Sequence, residues 1–527
     1  MDEPSSPQTS PPEGAPAGSG TSYDAHPYPG YAYWFTHPDH LYVTGTLYGL
    51  SPALPAAARV LELGCGDGGN VVAIAALLPG TTCVGIDLSD VQIASGRQLA
   101  AALGIANVTL HQGDLTTLVV RGEAASGLGD LGEFDYIIAH GVYAWVPAAV
   151  RDALLACIKA HLAPNGVALV SYNALPGWND LDPVRRLMKF HTDPVAEPAE
   201  KIRQAREVAD WYAKAAAAMH PERAKLLERV GEVVAGASES LVRHDWLAEY
   251  HGATLFSDFA AHADQHGLAY LANAIQGRGQ VHNLEPEVRE LVERVPSRLR
   301  QQQYLDFFEN TRFRTTALCH RGQWIDDPPP TERYAELAIE SRMDVDPWAI
   351  DTRSDAAVLL ETASGFIEVA GKPFRVVLSA LHRHRPRAVP MRVLFDEVSE
   401  VLAGMGLDGG LAQTPEGREA LFRQFVGELS WLYLRELVHF WRDVPDVAGG
   451  LPERPRTGIL QRTLAASRNH VTSLHHRHVA LTDDQRALVP LLDGTRDRAG
   501  LAAAVGRSEA EVMVTLEDLR VKGFIRA

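Results

Sequence analysis

Basic residues, cysteines and long apolar runs are all scarce in this chain of 527 residues. Lys plus Arg total 49 against 66 Asp plus Glu, a formal charge of −17. Backbone phosphates demand a basic face, so this balance argues against duplex DNA or an anionic membrane as the main partner. Only seven of the cations are lysines, a composition bias given no functional weight. The four cysteines (Cys65, Cys83, Cys157 and Cys319) form no CxxC pair, which points away from a zinc site and from a disulfide framework. The longest apolar run near the front, residues 71–78, falls far short of the roughly 20 residues a membrane helix needs. The N-terminus lacks the basic and apolar regions of a signal peptide. A soluble, reducing, cytoplasmic setting is expected. With 46% hydrophobic and 22% charged residues, the chain can still bury real cores, about three domains' worth.

Residues 1–22 hold five prolines among Ser, Thr, Gly and Ala, which predicts a disordered tail. Residues 23–195 then alternate apolar runs with amphipathic stretches. Strands are predicted at 59–63, 82–86, 108–111, 134–139 and 167–172, and helices at 70–78, 91–103 and 148–161. Short apolar strands spaced by helices imply a parallel sheet covered on both faces, an α/β, doubly wound architecture. From 196 to 330 the texture turns helical, with 304–321 reading as a helix passing into a strand and 328–330 as a linker. Residues 331–450 read as a mixed, mainly helical middle domain: a strand at 366–369, helices at 373–382 and 391–403, and a long amphipathic helix at 416–441. Residues 451–527 resemble a winged helix, with helices around Gly494 and Gly506, another at 512–522 and a last strand at 523–526. Eight bases and eight acids over 477–527 favour packing against protein over DNA binding. No repeat of solenoid period is present.

The most informative stretch is VLELGCGDGGN, residues 60–70. Gly64, Gly66 and Gly68 stand between a strand and a helix, where backbone approaches a ligand closely. Gly64, Gly66 and Gly69 also satisfy GxGxxG, so the glycines alone do not separate a dinucleotide site from others. The acids do. Glu62, at the strand end, suits a ligand ammonium and would repel a pyrophosphate. Asp87 ends the second strand, where an acid can accept both ribose hydroxyls. Asp114 follows the third, where an acid beside the apolar Leu115 can hold adenine's exocyclic amine. Each acid alone would equally suit a turn or a helix N-cap. Together they fit S-adenosylmethionine, which carries an ammonium, a ribose, an adenine and no phosphate.

On these residues the chain resembles the class I methyltransferases, and APNG at 163–166 looks like their usual turn before the fifth strand. More specifically, HGVYAWVP at 140–147, SYNALPGW at 171–178, RFRTTALCH at 312–320, YDAHPY at 23–28 and the pair His37-Pro38 resemble the protein-lysine methyltransferases of the rickettsial outer-membrane-protein type. The resemblance implies a Rossmann-like methyltransferase domain over 23–195, a helical regulatory and dimerisation domain, a homodimer and a C-terminal winged helix. It implies a protein or peptide substrate, while the charge balance and the short apolar runs argue for no nucleic acid partner and no membrane span. The cofactor site is expected to take in Tyr23, Tyr28, Cys65, Asn70, Leu88, Gln92, Leu115 and His140 beside the residues above. The Tyr31–Phe35 aromatic run (YAYWF) is unusual for the family and lies near the expected cofactor lid.

A lysine acceptor must lose its proton before transfer, and burial between aromatic walls favours that by penalising the charged form. Tyr143, Trp145, Tyr172 and Trp178 follow the fourth and fifth strands, at the sheet edge where open α/β sheets bind ligands, and are the candidate walls. Tyr143 or Asn173 could hold the acceptor nitrogen. His140 could act as a general base or pack on the cofactor. No metal site is expected: His470, His475, His476 and His478 lack the HxxxH spacing and an obvious carboxylate partner. Trp431, Leu434, Leu437, Val438 and Trp441 read as core or dimer interface, and Cys65 and Cys319 as small apolar fillers. The leading expectation is methyl transfer to a protein or peptide, on a lysine amine. The alternatives are N- or O-methylation of a small molecule or ribosomally made peptide, and a cofactor-sensing protein without turnover.

Overall fold

Alternation along the first strand shows how the sheet is built: Val60 packs into one apolar cluster, Leu61 and Leu63 into another. Successive side chains of a strand face opposite ways, so a strand apolar at every position is covered on both faces. The computed structural model describes residues 30–118, 131–345, 347–362, 365–407 and 414–527. The segment 1–22, Tyr23 and Tyr28 lie outside the described residues.

Seven strands form the main sheet: β1 (Arg59–Leu63), β2 (Thr82–Asp87), β3 (Val108–Gln112), β4 (Phe134–Ala139), β5 (Leu162–Asn173), β6 (Leu268–Asn273) and β7 (Phe313–His320). Their order is β3-β2-β1-β4-β5-β7-β6. The first five are parallel, and β7 runs antiparallel to both β5 and β6. The order reverses between β1 and β4, and the crevice beyond the carboxyl ends of those two strands is where such sheets bind ligands.

One strand, β6, comes from the region expected to be helical, and β7 from the stretch 304–321 expected to pass from helix into strand. β6 and β7 complete the sheet, so it extends past the expected boundary at 195. Leu268–Asn273 pairs with β7 from Leu268↔His320 onward. The helices Pro198–Met219 and Ala224–Gly236 pack on each other and on Asp182–Thr192, beside the sheet.

The predicted helix 416–441 divides in two. It ends at Tyr433, Glu436 takes a left-handed φ of 60°, and Val438–Trp441 is a strand antiparallel to Ala338–Ser341. In the last unit a hairpin of His470–Thr472 and His478–Ala480 accompanies the helices Ile459–Ser467, Arg498–Val505 and Glu509–Val521. Residues 523–526 are not a strand. Phe524 and Ile525 are buried, and the Arg526 amide donates to the Arg456 carbonyl.

Candidate active site

The loop after β1 is built for close approach. Gly64, Gly66 and Gly68 have φ of 72°, 56° and 72°, a region that penalises any Cβ. A side chain on Gly64 would collide with Val142, beyond β4, and one on Gly69 with the backbone of Gly30. Asp87 braces the loop from the neighbouring strand: its carboxylate accepts from Gly66 N at 2.8 Å and from Ser89 N at 2.9 Å. Cys65 is buried, and burial pushes its thiol pKa well up, which suits an apolar filler.

Glu62 is the unusual member. It is 4% exposed, its Oε1 accepts from Asn70 Nδ2 at 3.0 Å, and its Oε2 has no hydrogen-bond partner among the described residues. Burial raises its pKa to about 8, against the lowering by the Asn70 amide and the Val71 backbone. Gln92, 3% exposed, carries a second orphaned oxygen, Oε1, which lies beside Gly66. Buried oxygen acceptors without donors are costly, and a ligand that brings donors relieves them. An ammonium beside Glu62 and ribose hydroxyls beside Asp87 meet that need, whereas a pyrophosphate would worsen it. Leu88, immediately after Asp87, is 51% exposed, an apolar surface open to a ring. Asp114 caps the turn Leu115–Thr117 by accepting from Thr116, and Leu115 is buried. These residues fit S-adenosylmethionine.

Asn70 is the hub of a lid that sequence reasoning did not resolve. Its Oδ1 accepts from Thr36 Oγ1 at 2.8 Å, from Tyr33 N at 3.3 Å and from His476 Nε2 at 2.9 Å. Arg468 donates to Asp67 in the loop at 3.0 Å. Thus the Tyr31–Phe35 segment and the C-terminal unit both close over the glycine loop. The only sequence signal was the aromatic run itself. The four tempting histidines divide among separate partners: His476 on Asn70, His475 beside Glu340 and Trp441, and His470 and His478 against Tyr31.

Beyond β4, His140 packs its ring 4.1 Å from that of Tyr33 and 6.1 Å from that of Phe313. Its Nδ1 is 2.8 Å from Ser171 Oγ, which also accepts from Gly141 N. Burial holds its pKa down at about 4, so the imidazole is neutral at pH 7. Burial also raises the Tyr33 phenol to about 12, helped by the charge of Asp245, whose own carboxyl burial lifts to about 7.

Two of the expected slot walls lie in the core. Tyr143 is 4% exposed, packs on Tyr172 and Phe259, and pairs its hydroxyl with His262 Nδ1 at 2.9 Å. Tyr172 is 1% exposed, stacks on Phe259 and bonds Thr316. The helix Phe256–Gln265 supplies the apolar partner that turns both rings inward. Trp145 and Trp178 stay half-buried, 6.2 Å apart, with the His251 ring 4.9 and 4.6 Å from them. Asn173 Nδ2 lies 3.1 Å from His251 Nε2, and burial holds the His251 pKa at about 4. His251 and Asp245 were not foreseen, because residues more than seventy positions beyond the strand ends carry no local mark of their destination.

The chain matches three families: "Methyltransferase domain" over residues 61–168, "Predicted methyltransferase regulatory domain" over 238–320, and "PKMT, C-terminal winged helix domain" over 453–520. An uncharacterised protein of Rickettsia prowazekii is 36% identical over 298 residues, 56% of this chain and 52% of that protein. The chain thus spans about half the length of that relative. A second uncharacterised R. prowazekii protein is 32% identical over 244 residues, 46% of this chain and 94% of its own length. The structure of PKMT2 from Rickettsia typhi in complex with AdoHcy shares the fold, with a TM-score of 0.81 at 23% identity over 95% of this chain and 100% of that one. The chain belongs to the class I S-adenosylmethionine-dependent methyltransferases, in the family that joins a regulatory domain and a PKMT winged helix to the catalytic sheet. Its cofactor is S-adenosylmethionine.

Proposed function

We propose that the protein transfers a methyl group to the side-chain amine of a lysine in a protein or peptide. The observation that carries this reading is the aromatic and carboxylate environment beyond β4 and β5. The cofactor, when bound, supplies an electrophilic methyl group. The chain's own contribution is alignment and exclusion of water, worth about 7–11 kcal/mol in well-oriented systems. Tyr33 and the neutral His140 wall one side of the approach, and Trp145, Trp178 and His251 offer a second aromatic surface at the same sheet edge. Such walls desolvate an ammonium and lower its pKa. Asp245, with a pKa near neutrality, attracts the incoming cation and takes its proton at the carboxylate.

The regulatory segment contributes His251 and Asp245, so it completes the acceptor side rather than merely flanking it. We assign the helical region a second role in self-association. Phe190, Trp211 and Met219, on Asp182–Thr192 and Pro198–Met219, are 81%, 64% and 74% exposed, which suits burial in a homodimer. Light scattering is expected to show a dimer that Trp211→Glu disrupts; a monomeric wild type would reject it. For the acceptor, labelled cofactor is incubated with protein extracts whose lysines are left free or acetylated. Label should enter only the unblocked extract, on lysine by mass spectrometry. Equal labelling of the acetylated extract would rule out a lysine amine.

A further inference from the structure

Two histidines one helical turn apart face a carboxylate from the neighbouring helix. His262 lies on Phe256–Gln265 and His266 caps that helix's C-terminus, in an HxxxH arrangement, and Asp152 lies on Ala148–His161. Asp152 Oδ1 is 2.9 Å from His266 Nε2 and 3.4 Å from His262 Nε2, and candidate ligand atoms of the three residues lie within 4.8 Å of one another. Neighbouring ligand atoms on a tetrahedral zinc ion, at about 2.0–2.2 Å each, stand about 3.3 Å apart. The observed separations need only small side-chain rotations to reach that spacing.

We propose that Asp152, His262 and His266 form a binding site for one divalent transition cation of the zinc type. Imidazole nitrogens and a carboxylate are the donors that such an ion selects over magnesium or calcium, and the exposed side of Asp152 leaves room for a water as fourth ligand.

A second feature resembles an established metal-site device. His262 Nδ1 sits 2.9 Å from the Tyr143 hydroxyl, so the ring is oriented through one nitrogen while the other faces the proposed ion. The ion would tie the helix that follows the Tyr143 turn to the helix that packs on Tyr143 and Tyr172. Tyr143 is then a positioning residue for the metal ligand. Without an ion, the same residues form only a pair of histidine–carboxylate contacts, and binding experiments separate the two cases.

Full-length protein, stripped with chelator, is titrated with Zn²⁺ by calorimetry and with Co²⁺ by visible absorption. One equivalent is expected to bind at micromolar concentration or below, with the visible band of four-coordinate cobalt. Asp152→Asn and His266→Ala should each weaken binding at least tenfold, and Tyr143→Phe by about tenfold. His220→Ala, on an exposed histidine elsewhere, should leave it unchanged. If His266→Ala does not fold, the exposed Asp152→Asn decides. No saturable binding to wild type, or binding indifferent to Asp152→Asn, would overturn the assignment; the latter would place the ion elsewhere.

Discussion

His476 Nε2 lies 2.9 Å from Oδ1 of Asn70, a hydrogen bond that spans 406 positions and joins the winged-helix unit to the glycine loop after β1. Because the Asn70 amide nitrogen donates to Glu62, its oxygen is the acceptor, and His476 must carry its proton on Nε2. Burial drives the His476 pKa well below its ordinary value, so the ring stays neutral. The C-terminal unit thereby orients the side chain that orients Glu62.

Removing that bond should be felt at the cofactor. His476→Ala is expected to weaken S-adenosylmethionine binding several-fold, about 1 kcal/mol, while Thr36 and Tyr33 still hold Asn70. Calorimetric affinity for the variant checks it. An unchanged affinity would mean that the winged helix merely rests on the loop.

Asp87 braces Gly66 and Ser89, and we propose that it also meets the ribose. Asp87→Ala should cost about 1.5–3 kcal/mol of cofactor affinity, the range for hydrogen bonds to a charged group. A folded variant with wild-type affinity would place the ribose elsewhere.

On the acceptor side, Trp178→Ala is expected to leave cofactor affinity nearly intact and lower turnover more than tenfold, about 1.4 kcal/mol of transition-state stabilisation. Tyr143→Phe should behave differently. It keeps the buried ring and loses the hydroxyl's bond to His262, so turnover should stay near wild type while thermal stability falls by about 1 kcal/mol. If the two variants exchange these effects, the slot runs along Tyr143 and not along Trp178.

The glycine loop and the acids around it were legible because these parts are local. Glu62, Asp87 and Asp114 stand at or just after three strand ends, and the glycines between them mark the turn. The acceptor half was not. Tyr143 and Tyr172 look exposed by position, and only the helix Phe256–Gln265, over a hundred residues later in the chain than Tyr143, turns them into core. Leu268–Asn273 reads as more of the surrounding helical texture because its two alanines, three positions apart, continue helical spacing. Only its pairing with β7 makes it a strand. Val438–Trp441 continues the apolar spacing of the preceding helix, and the break lies at Glu436, a residue type that gives no warning of a positive φ.

The central claim is that the loop after β1 serves a cationic, phosphate-free ligand through Glu62. Its pKa of about 8 in the folded chain lies above the ordinary 4.5, so the ligand-free protein loses stability as pH rises through that interval. A bound ammonium favours the ionised carboxylate, and binding below pH 8 must therefore release a proton. Calorimetric titration at pH 7 with S-adenosylmethionine, and separately with NAD, in two buffers of different ionisation enthalpy measures this directly. The account predicts one S-adenosylmethionine site with proton release that Glu62→Gln abolishes, and no heat from NAD. Micromolar binding of NAD with none of S-adenosylmethionine would contradict it.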